Sequence, residues 1–198
     1  MAMQKFNEFV CWHSSTAVSM LKIVPLWIYP LPILFMVFWW ALSLTPVNQF
    51  LDKPTAEIIA PTVLLVTMLI AIWQRKNHDH PYFNWLLFFS VILFLRELHF
   101  YGTNNGFYLG FVLMIWWASK HRQRLQPYLF NKKLLSLFIL IVWTYLISKS
   151  FDRHMWDSYL PAGVPSDLFE ENLEVTGHLL TLVLVWISSK VNLSSQRQ

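Results

Sequence analysis

Apolar runs close to membrane-crossing length follow one another along this chain, with little polar sequence between them. A helix needs roughly 20 mostly apolar residues to cross a bilayer. In lipid each backbone N–H and C=O must be paired within the structure, so runs of this length are expected to be helical. Of the 198 residues, 56% are hydrophobic and 13% are charged, whereas a soluble domain carries roughly 25% charge. The pattern predicts an all-α, polytopic membrane protein: one transmembrane domain over 1–198, with six helices and no soluble domain. The single cysteine, Cys11, excludes an intrachain disulfide and a multi-cysteine metal site.

Residues 1–20 are polar to amphipathic and suit a short interfacial helix bearing Phe6, Phe9, Val10 and Trp12. No cleaved signal peptide is read there. Spans are expected at 24–44, 57–73, 82–95, 107–119, 134–148 and 171–189. Pro61 then falls in the first turns of the second span, where proline is tolerated. Trp39 and Trp40 suit a membrane interface. A tight, non-helical connection containing Asn104 and Asn105 is expected between the third and fourth spans. The longest loop is expected at 149–169.

Basic residues orient such a chain, because cytoplasmic loops are enriched in Lys and Arg. With six spans, Lys5 and Lys22, Arg75 and Lys76, the 120–133 cluster, and Lys190 and Arg197 all fall on one side. Both termini are then cytoplasmic, and the 149–169 loop is exoplasmic. The expected location is a plasma or inner membrane. The net charge of +4 thus reflects topology, and no nucleic-acid partner is expected. Lys120, Arg122, Arg124, Lys132 and Lys133 should meet anionic inner-leaflet lipids or a cytoplasmic partner protein.

The sixth span opens on Asp167-Leu-Phe-Glu170-Glu171-Asn-Leu-Glu174-Val-Thr-Gly-His178. Glu170, Glu174 and His178 share one helical face, with Glu171 at its edge. Charge is costly in lipid, so this face should point inward, and ionisable groups inside a membrane are functional-site candidates. A rise of 1.5 Å per residue puts Glu97 and Glu174 each about 22 Å above the cytoplasmic face, and His178 about 17 Å. Arg96, Glu97, Glu174 and His178 should therefore meet in the outer leaflet. Asp152, Arg153 and His154 should lie just above them, and the 149–169 loop should cover the resulting depression.

Three chemistries fit this set. In an ion-pair network, Arg96 and Arg153 neutralise acids such as Glu170 and Asp152, and Asn104 and Asn105 satisfy what remains. That protein would be a non-enzymatic membrane sensor or a subunit of a larger complex. In a metal site, Glu174 and His178, spaced i, i+4, bind one ion that Glu97, His99, His154 or Glu171 completes. Carboxylate and imidazole without thiolate suit zinc, manganese or iron. The protein would then be a hydrolase of lipid or lipid-linked substrates, with Glu97 or Glu171 as general base. Proton or ion coupling through Glu97, Glu174 and His178 is the third, although no acid or histidine continues the path toward the cytoplasm. Gly106-x-x-x-Gly110 permits close helix packing, within the chain or in a homo-oligomer.

Overall fold

The computed structural model describes residues 14–46, 53–98, 103–160 and 166–191. All regular structure among them is helical. Residues 14–23 form α1, and Leu26–Ile28 form a 3-10 turn. The remaining helices are α2 (Leu31–Ser43), α3 (Lys53–Asn77), α4 (Pro81–Glu97), α5 (Thr103–Lys120), α6 (Arg122–Leu129), α7 (Lys132–Asp152) and α8 (Ser166–Ser188). Three stretches are long and apolar enough to cross a membrane: Leu26–Ser43, α3 and α7. Phe6, Phe9, Val10, Trp12, His99 and both chain ends lie outside the described residues.

Helix α8 is the hub of the bundle, packing against α7, α3 and α2. Its neighbours rest on small residues: Thr176, Gly177, Thr181 and Ser188 are all buried. Such residues let helix backbones approach closely where no hydrophobic drive between helices operates. Helix α4 packs against α3 on one side and α5 on the other. Its aromatic face, including Tyr82, Phe83, Trp85 and Phe89, fills the main core with Leu64, Leu86 and Ile141. Val24 and Ile28 pack on α7 through Leu135 and Leu140. The outward surface is strongly apolar, with Leu26, Trp27, Ile58, Leu109 and Trp116 all exposed.

The helices start and stop on specific polar groups. His80 caps α4, its Nδ1 accepting from Tyr82 N–H at 3.2 Å, with Pro81 at the first helical position. Asn131 caps α7, its Oδ1 accepting from the N–H groups of Lys133 (3.1 Å) and Leu134 (3.3 Å). Past the end of α7, His154 N–H donates to Phe151 O (2.8 Å) and Met155 N–H to Ser150 O (3.2 Å). His154 holds the left-handed φ of 56° that this double bond requires.

Several sequence expectations are corrected. Helix α3 starts at Lys53, so Pro61 is interior to it. Proline has no N–H, so the Glu57 carbonyl loses its helical donor. Helix α5 starts at Thr103, so Asn104 and Asn105 belong to its first turn, not to a non-helical connection. The basic segment contains a helix, α6, whose Leu125 is buried and whose Tyr128 stacks on Tyr82 (ring centroids 4.2 Å apart). Helix α7 runs to Asp152, which shortens the expected 149–169 loop from one side, and α8 begins at Ser166 and shortens it from the other. Trp39 also ties α2 to α8, its Nε1 donating to Thr176 Oγ1 at 2.9 Å.

Candidate functional site

The first turns of α3 and α8 and the last turns of α4 and α7 meet at one end of the bundle. They enclose a cavity of about 600 Å³. Helix α3 supplies Lys53, Glu57 and Ala60; α4 supplies Arg96 and Glu97; α7 supplies Lys149 and Asp152; α8 supplies Glu170, Glu171 and Glu174. Six carboxylates face three cations there. The cations each meet an acid from another turn or helix. Lys53 Nζ lies 3.3 Å from Glu171, Lys149 Nζ lies 2.6 Å from Asp152 and 4.0 Å from Glu170, and Arg96 contacts Glu174 directly. The Arg96–Glu174 pair is deep, its side chains 14% and 12% exposed.

Below that pair lies His178, fully buried. Its Nδ1 is 2.6 Å from the Tyr145 hydroxyl, supplied by α7. Its Nε2 points the other way, 3.6 Å from Glu97 Oε1, and makes no hydrogen bond. A buried polar atom without a partner costs roughly 1–3 kcal/mol, so this nitrogen calls for an explanation. One ligand atom from each of Glu97, Glu174 and His178 lies within 4.8 Å of the others. Two ligands about 2.1 Å from a tetrahedral ion stand ~3.4 Å apart, which the 3.6 Å between His178 and Glu97 nearly matches. A metal on Nε2 leaves the ring proton on Nδ1, free to be donated to the Tyr145 oxygen. Metal-bound histidines are usually oriented by a hydrogen bond of this kind.

Gly177 makes this arrangement fit. A Cβ there would lie 2.7 Å from Tyr145 Cε1, so only glycine lets the Tyr145 ring close on the α8 backbone beside His178. Thr181 is a second contact of the Tyr145 hydroxyl.

Counting helical rise brings Arg96, Glu97, Glu174 and His178 together, and the structure does so too. Asp152, Glu170 and Glu171 line the same cavity. His154 and Arg153 do not. His154 is exposed and pairs with Asp157 at 3.0 Å, and Arg153 is exposed at the end of α7. No described residue of 153–160 lines the cavity, and residues 161–165 of the expected cover lie outside the described residues. That segment folds onto α7 instead: Trp156 Nε1 donates to Ser150 Oγ (2.6 Å), and its ring stacks on Phe151. His99 lies outside the described residues, as do the side chains of Asn104 and Asn105. Sequence reasoning missed Lys53, Glu57, Lys149 and Tyr145. Lys53 and Glu57 stand i, i+4 at the boundary of the second span, and that spacing was the available signal. Tyr145 gave no comparable signal.

At the other end of the bundle, Lys120, Arg122, Arg124, Lys132 and Lys133 are all exposed, where α5, α6 and α7 meet. Lys120 lies over the Trp116 ring, 5.7 Å from its centroid. Comparison with known proteins matched no family model, no curated protein and no solved structure.

Proposed function

We propose that this chain is a six-span integral membrane protein whose cavity is a metal-dependent hydrolytic site opening to the exoplasmic face. The observation that carries the reading is His178 Nε2, buried, without a hydrogen-bond partner and facing two glutamates. Glu97, Glu174 and His178 hold the ion, and their oxygen and nitrogen donors suit zinc, manganese or iron. When bound, the ion would supply a water activated for attack on an acyl or phosphoryl centre. Glu171, one turn above Glu174 and held by Lys53, would take the proton of that water and return it to the leaving group as the ester or amide bond breaks. The apolar outer surface and the cavity's place at the helix ends support a substrate that is a lipid or is linked to one.

The distribution of Lys and Arg supports cytoplasmic termini and an inner or plasma membrane. Helices α4, α5 and α8 complete the six spans, with α4 packed between α3 and α5. The exposed basic end then faces the cytoplasm, where it meets anionic lipid or an acidic partner protein.

Metal content tests the reading. Wild type, Glu174→Gln and His178→Ala are purified in mild detergent without a metal-affinity step, with helicity and monodispersity as folding controls. Near-stoichiometric zinc, manganese or iron in wild type, lost in both variants, is the expected result. Wild type that holds no metal after loading overturns it. The direct Arg96–Glu174 contact favours a second reading, in which the charges only join the helices and the protein is a sensor or a subunit of a larger complex.

A further inference from the structure

We infer that Thr181 and Tyr145 are positioning residues that hold His178 as its Nδ1–H tautomer, so that a bare Nε2 lone pair faces Glu97 and Glu174 before any ion arrives. The tautomer follows from the hydrogen bonds alone, whereas the ligand it prepares for rests on the metal reading above. A neutral imidazole carries one proton, and the bond made at one nitrogen decides what the other can do. The two tautomers give this site different characters. With the proton on Nε2, His178 is a donor to Glu97 and completes an ion-pair network. With it on Nδ1, three acceptors face one another, and a shared cation satisfies all three.

The order of donors can be followed from a backbone carbonyl, which only accepts. The Thr181 hydroxyl donates to Gly177 O at 2.8 Å, one turn back along α8. A hydroxyl has one proton to give, so that of Thr181 is committed there. The Tyr145 hydroxyl also contacts Thr181, and in that contact it must donate to Oγ1. The phenol proton is then committed in turn. In the 2.6 Å contact with His178 Nδ1, the Tyr145 oxygen therefore accepts and Nδ1–H donates. Nε2 is left with its lone pair.

The far side of the ring supports the same tautomer independently. A buried N–H beside a carboxylate is drawn to the roughly 2.7–3.2 Å of an N–H···O bond. Nε2 stands 3.6 Å from Glu97 Oε1 and makes no hydrogen bond, the spacing of two acceptors rather than of a donor and an acceptor. His178 and Thr181 are both fully buried. Gly177 serves the chain twice. Its carbonyl orients Thr181, and its missing Cβ, which would lie 2.7 Å from Tyr145 Cε1, lets the phenol reach both side chains. The ligand atoms of Glu97, Glu174 and His178, all within 4.8 Å of one another, are thus set for a cation with no proton to displace from Nε2. Pre-set partners of this kind raise metal affinity about 10–100-fold.

The test is nitrogen NMR of metal-free, full-length protein in detergent, labelled with 15N-histidine, with the His178 signals assigned from their loss in His178→Gln. The expected result is a protonated Nδ1 and a bare Nε2. Thr181→Val keeps the side-chain shape but removes the acceptor, so the phenol turns its proton to Nδ1 and the histidine proton moves to Nε2. Zinc affinity, read by chelator competition, is expected to fall about tenfold in that variant. Thr181→Ser keeps the hydroxyl and is expected to restore both the tautomer and the affinity, which a packing role alone would not do. Helicity and monodispersity serve as folding controls. A wild-type His178 protonated on Nε2, or on both nitrogens, overturns the inference. So does a Thr181→Val variant with the wild-type tautomer. If wild type still takes up metal in those cases, the hydrolase reading stands. An Nδ1–H tautomer in a protein that takes up no metal upholds the positioning chain and overturns the hydrolase reading.

Discussion

The Tyr145 hydroxyl lies 2.6 Å from His178 Nδ1, across the α7–α8 interface. The contact fixes the ring so that Nε2 faces Glu97 and Glu174. Outer-sphere partners of metal-bound histidines contribute about 10–100-fold in affinity. Tyr145→Phe is therefore expected to weaken metal binding by that factor, with helicity intact. Competition with a coloured chelator reads it. An unchanged affinity would mean the phenol only fills space.

Among the described residues, Arg96 and Glu174 form the most buried pair between a Lys or Arg and a carboxylate in the cavity. Removing one partner of a buried pair costs about 3–5 kcal/mol, because the other charge is left stranded. Arg96→Ala is expected to lose stability on that scale, measured by thermal unfolding in detergent. The exchange Arg96→Glu with Glu174→Arg is expected to recover much of the loss yet hold no metal, since an arginine then stands among the ligands. A swapped protein that still binds metal stoichiometrically excludes Glu174 as a ligand.

His80 gives the end of the bundle where α4 starts a pH dependence. Its Nδ1 is the acceptor that caps α4. Burial first, then nearby Arg124, lowers its pKa below the usual 6.5, while Asp79 opposes the shift. A histidine with a depressed folded pKa contributes stability that is fully present above about pH 6.5 and is lost as pH falls through the lower folded value. Protonating Nδ1 would also remove the cap. Melting temperature should fall on acidification in wild type and fall less in His80→Asn, which keeps a cap acceptor without titrating. Parallel curves would show that His80 does not contribute.

His154 holds a backbone conformation that suits glycine. A side chain at left-handed φ costs roughly 1–2 kcal/mol, and the exposed pair with Asp157 offsets little of it. His154→Gly is expected to stabilise the protein by about 0.5–1 kcal/mol without changing metal content. A lower melting temperature would show that the Asp157 contact matters more than the backbone.

Much of the bundle is readable from hydropathy, and the convergence of Arg96, Glu97, Glu174 and His178 is readable from counting helical rise. The helix ends are not. Hydropathy reports the apolar middle of a helix, but a backbone helix continues into polar sequence wherever caps and charges satisfy it. So α3 starts at Lys53 and α7 ends at Asp152, and these extra turns carry Lys53 and Lys149 to the cavity. Tyr145 was hidden for another reason. A phenol in an apolar run resembles any core aromatic until the face it shares with the next helix is known. Helix α6 was masked by its charges, because only Leu125, Tyr128 and Leu129 mark its buried side.

The hub position of α8 has a consequence for how the chain is made. Its acidic entry keeps it out of the group of stretches apolar enough to cross a membrane unaided. The partners that neutralise those acids, Lys53, Arg96 and Lys149, all precede it in the chain. On the six-span reading proposed above, the earlier helices must therefore already stand in the bilayer as a receptor when α8 leaves the ribosome. On that reading, a chain truncated before Ser166 would strip Lys53 and Arg96 of the glutamates they pair with, a species that membrane quality control should recognise and degrade.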